Sequence, residues 1–70
     1  MKTYEGFNTM VEEMKRRIEK EIKFAVMDYK IFGRTEFYER SVSKIYGMIE
    51  MLRVVTGKQY TFNENGLIEH

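Results

Sequence analysis

The chain contains no cysteine, no proline and no tryptophan, and its one histidine is the last residue, His70. Without thiols there are no disulfides, no thiolate zinc sites and no cysteine nucleophiles. A single terminal histidine cannot supply a closed structural metal site, nor the paired Glu-x-x-His ligands of four-helix di-metal proteins. A dominant charge is lacking as well: 12 Lys and Arg face 11 Asp and Glu, a formal charge of +1. No whole-molecule field therefore steers the chain toward nucleic acid or an anionic surface. No apolar run approaches the roughly 18 residues of a spanning helix, and the opening MKTYEGFNTM lacks the unbroken apolar core of a signal peptide. The expectation is a cytoplasmic protein with no membrane partner. Usage rich in Lys, Ile, Glu, Tyr and Asn resembles that of compact bacterial or bacteriophage reading frames.

What is present is the composition of a folded protein, 43% hydrophobic and 33% charged. Seventy residues form one domain, 1–70, and a chain this short buries only about 60% of its extended surface, so its stability is marginal without a partner.

Thr9 followed by Glu12 reads as a capping box that starts a helix, with Phe7 just ahead of it. Val11, Met14, Ile18, Ile22, Ala25, Tyr29 and Phe32 then form one apolar stripe, and Gly33 is placed to end the helix in a left-handed conformation. The first helix is thus predicted over 9–32. Thr35 offers a second N-cap, with Glu36 and Glu39 complementing the helix dipole. Tyr38, Val42, Ile45, Ile49 and Leu52 repeat at spacings of 4, 3, 4 and 3, and Gly57 closes a helix over 35–56. Two helices joined by so short a hinge must fold back antiparallel. In 58–70, Tyr60 and Phe62 alternate with polar residues before NENG, whose glycine suits a positive φ. This predicts a β-hairpin with strands near 59–62 and 67–69, the alternative being a frayed tail after a capping turn. The fold class is mainly α: an antiparallel two-helix hairpin with a short C-terminal β-hairpin.

The helices carry more apolar surface than one seam can hide. Phe24, Met27 and Ile31 lie roughly opposite the main stripe of the first helix, while Phe37, Met48, Met51 and Val55 form a wing beside that of the second. Gly47 sits mid-helix at a cost of roughly 1 kcal/mol relative to alanine, leaving room for another backbone. A patch of this kind is rarely left open on a soluble monomer. A symmetric homodimer, two hairpins making a four-helix bundle, would cover it. The competing covers are the chain's own C-terminal hairpin and a foreign protein, which the adaptable methionines would suit. The seven wing residues are the expected protein interface.

Arg16, Lys20, Lys23 and Lys30 share a solvent face that could follow a phosphate backbone. Against this, Glu12 with Arg16, Glu13 with Arg17, Lys15 with Glu19, Arg17 with Glu21 and Glu19 with Lys23 stand four apart, the pattern of an ion-laced helix surface. No glycine-rich phosphate loop and no recognition-helix pair accompanies the basic face. Ser41 and Ser43 have no base partner, and the tyrosines, Tyr38 and Tyr46 foremost, suit core-edge packing with a wet hydroxyl. The sequence therefore predicts a non-enzymatic protein without cofactors. It would act as a small adaptor or inhibitor whose partners are a second copy of itself and another protein, the alternative being a nucleic-acid-associated regulator.

Overall fold

The computed structural model describes the backbone of residues 3–70 and the side chains of residues 6–70. Helix α1 spans Thr3–Phe32 and helix α2 Glu36–Thr56; strands β1, Tyr60–Asn63, and β2, Gly66–Glu69, follow. The helices pack antiparallel, and the β-hairpin lies across one side of the pair, β2 over α1 and β1 over α2. The other side of the helix pair is left bare.

The second helix is set by its caps. The Thr35 hydroxyl accepts from the Tyr38 amide at 3.0 Å and donates to the Asp28 carboxylate at 3.3 Å, so the same residue starts α2 and ties the bend to α1. Gly33, φ 76°, and Gly57, φ 73°, end their helices in the left-handed region, and their amides donate to the carbonyls of Tyr29 and Arg53, both at 2.8 Å.

The first helix begins earlier than its capping box predicts. Thr9 and Glu12 lie inside α1, which is 30 residues long, and Phe7 is a helical residue rather than a staple outside it. A Thr-x-x-Glu pattern marks a start only where the preceding residues leave the helix, and no proline forces them out. Phe7 and Val11, one turn apart, line a cleft with Thr56, Lys58 and Tyr60, which gives the extra turns a tertiary purchase.

The core is Val11, Ile18, Ile22 and Ala25 from α1, Ile45, Ile49 and Leu52 from α2, and Tyr60 from β1. The stripes fail at the bend. Phe32 is 68% exposed, beyond the hairpin; Tyr29, about half exposed, borders the hairpin tip and packs on Tyr38 with ring centres 4.9 Å apart. Tyr46 is also exposed rather than a core-edge ring, touching Phe62 edge-on at 5.3 Å.

The β-hairpin pairs Tyr60 with Glu69, Thr61 with Ile68, Phe62 with Leu67 and Asn63 with Gly66. The Asn63 side chain accepts from the Asn65 amide at 2.8 Å, nucleating the turn. Glu64 and Asn65 keep negative φ, and Gly66 takes φ 131°. Gly66 also lies close against the Glu19 side chain of α1. A Cβ there would stand 2.6 Å from Glu19 Oε2, whose sister oxygen accepts from the Leu67 amide at 2.7 Å. Gly66→Ala combines this clash with an unfavourable backbone region, and is expected to cost about 1–3 kcal/mol. The denaturation midpoint measures it, and Glu19→Ala in the same chain should recover only the clash. A variant as stable as the wild type would mean that the hairpin slides freely on α1.

At the open end of the hairpin, the Tyr60 hydroxyl donates to Glu69 at 3.2 Å, and the Lys15 ammonium stands 5.8 Å from the Tyr60 ring centre. Desolvation pushes the Glu69 carboxyl up, but Lys58, the Tyr60 hydroxyl and Lys15 outweigh it and hold it below its ordinary value. Desolvation likewise opposes the Lys15 charge, but Tyr60, Glu12 and Glu69 outweigh it and hold the ammonium above its ordinary value.

Candidate interaction surfaces

The bare side of the helix pair carries a cleft of about 390 Å³ lined by Met14, Arg17, Ile18, Lys44, Gly47, Met48 and Met51. Along α1, Met10, Arg17, Phe24 and Ile31 recur every seven residues and share this side. Along α2, Phe37, Lys44 and Met51 do the same, as do Met48 and Val55. Six of the seven predicted interface residues thus fall on one side of the molecule, and Met27 lies further round α1 among Lys20, Lys23 and Lys30. Met48 and Val55 are half-buried against the core. Phe24, Met27, Ile31, Phe37 and Met51 are exposed, Ile31 at 69%. The hairpin lies opposite Phe24, Ile31, Phe37 and Met51, while Met27 borders a shallow cleft beside the hairpin turn, with Glu64 and Asn65, and is still about half exposed.

The basic residues divide. Arg16 is held by Glu13 at 3.0 Å, whereas Lys20, Lys23 and Lys30 make no ion pair among the described residues. None of the five predicted pairs four apart forms. Lys15 pairs with Glu12 and Glu69, each at 3.7 Å, and Lys44 of α2 reaches Glu21 of α1 at 3.4 Å. Glu19 turns to the Leu67 amide instead of a lysine. Glu12 and Glu13 pair three residues on rather than four, and Glu19 and Glu21 take partners from other elements, which a same-helix spacing rule does not see.

A second cavity, of about 310 Å³, escapes sequence reasoning because it forms only where the hairpin tip meets the helix bend. Val26, Tyr29, Tyr38, Val42 and Phe62 make its apolar wall, and Lys30, Asn63 and Glu64 its mouth. Exposed Val54, at 75%, belongs to no predicted wing either. Among the described residues no helix is long and apolar enough to cross a membrane.

No protein-family model matches the chain, and no curated protein or solved structure shows significant similarity to it.

Proposed function

We propose that the protein is a non-catalytic interaction module, a small adaptor or inhibitor that acts as a homodimer built as a four-helix bundle. The observation that carries this reading is the apolar side chains left in water after the β-hairpin has packed: Phe24, Met27, Ile31, Phe37 and Met51. A second copy covers the Met-lined cleft side, and the surface around Phe24, Met27 and Ile31 takes another protein. Sedimentation at micromolar concentration is expected to return about twice the chain mass, and a monodisperse monomer over that range defeats the reading. Met51→Glu sets a carboxylate on a face the dimer keeps dry. It is expected to weaken association at least tenfold with the helical content intact, whereas Met48→Glu also lowers stability because Met48 touches the core. Wild-type mass and melting in both variants would place this wing in solvent.

The ammonium groups of Lys20, Lys23 and Lys30, which make no ion pair among the described residues, favour a second reading, a nucleic-acid-associated regulator with the basic face doubled by symmetry. Salt separates the two: phosphate contacts make affinity fall steeply with ionic strength, and an apolar interface does not.

A further inference from the structure

Gly47 is a mid-helix glycine with no reason inside its own chain. It lies in α2, its φ is not positive, and a Cβ built there meets nothing within 4 Å. Neither a strained backbone nor a close internal neighbour requires it, yet a helix interior disfavours glycine. Around it runs an exposed seam, Arg40, Lys44, Gly47, Met51 and Val54, at spacings of 4, 3, 4 and 3, the repeat by which one helix faces another. Two of its members, Met51 and Val54, are apolar and exposed at 59% and 75%.

We infer that α2 packs antiparallel against α2 of a second copy, with the two-fold axis passing at Gly47. The inference rests on the homodimer proposed above and states where that dimer is joined. Charge selects the direction. A parallel pair would stack Lys44 on Lys44 and Arg40 on Arg40, whereas an antiparallel pair centred on Gly47 sets each residue level with the one equally far beyond the glycine. Lys44 then stands at the level of Glu50 in the second copy, opposite in sign, and the stem of Arg40 at the level of Val54. Met51 of the second copy arrives at the level of small Ser43, which leaves room for it. The missing side chain at Gly47 lets the two backbones approach where the helices cross. Phe24, Met27 and Ile31 stay outside this contact.

The native chain has no cysteine, so Gly47→Cys carries a single thiol. Two such thiols on a two-fold axis fall within the roughly 4.4–6.8 Å Cα separation that a disulfide spans. In the full chain under mild oxidation, Gly47→Cys is expected to form a covalent dimer at least tenfold faster than Met27→Cys. Gly47→Leu, at an exposed helix position where a Cβ meets nothing within 4 Å, is expected to keep wild-type helicity and to weaken dimerisation at least tenfold. Equal crosslinking at the two positions, or wild-type dimerisation of Gly47→Leu, overturns the inference. If the wild type still sediments as a dimer in that case, the homodimer stands and is joined elsewhere. A monomeric wild type overturns both.

Discussion

Deletion of residues 58–70 is expected to remove most of the thermal stability of the chain. Tyr60 is 4% exposed, Phe62 and Leu67 pack against the core, and the Leu67 amide is held by Glu19. Burying one large apolar side chain is worth about 1.5–3 kcal/mol. A 70-residue chain has in total roughly 3.5–10 kcal/mol at the usual 0.05–0.15 per residue. Removing the hairpin takes several of these contributions at once and opens Ile22 and Val26, beneath the hairpin turn, to water. Circular dichroism melts of the truncated and full-length chains, each at two concentrations, measure the effect. An unchanged, concentration-independent melt would mean that the hairpin rests on the helices without stabilising them.

Leu52→Ala and Ile45→Ala are expected to cost about 2–5 kcal/mol each, the range for large-to-small changes at closed core sites. Both side chains are completely buried, Ile45 near the middle of α2 and Leu52 one turn before its end. Val54→Ala, on the same helix but exposed, should fall within about 0.5 kcal/mol in the monomer. Urea midpoints for the three variants form the comparison. A loss below 1 kcal/mol at Leu52 would show that the seam closes over the missing methyl groups, which a core built on one layer of side chains has little freedom to do.

Elements whose signals are local were legible in the sequence. Thr35, Gly33, Gly57 and the Asn63–Gly66 turn each act within a few residues, and the structure uses all of them as read. The period-3.6 stripe placed Ile18, Ile22, Ala25, Ile45, Ile49 and Leu52 in the core because helix geometry alone determines which residues share a side. The failures have a common cause. Thr9 and Glu12 have the spacing of a cap, but the helix runs on past them, and Phe7 lines a cleft with Thr56 at the end of α2, far away in sequence. Phe32 continues the stripe past the point where anything remains to bury it. Glu19 obeys a rule about neighbours four residues away and instead binds an amide 48 residues on. Of the candidate surfaces, the apolar wings were legible as surplus, since no two-helix seam could absorb them. The cavity at the bend was not, for it needs the hairpin in place.

The bond from Glu19 to the Leu67 amide has a further consequence for how the protein behaves when crowded. A two-stranded sheet presents unpaired amides along its rims, and such rims are templates on which strands of other chains add and fibrils grow. Here a carboxylate reaching across from a helix occupies one of those amides and, with Gly66 pressed beneath it, denies an incoming strand the room to align. Along β2 the helix thus acts as a chaperone supplied by the chain itself, guarding the strand against self-templating for as long as the hairpin stays docked.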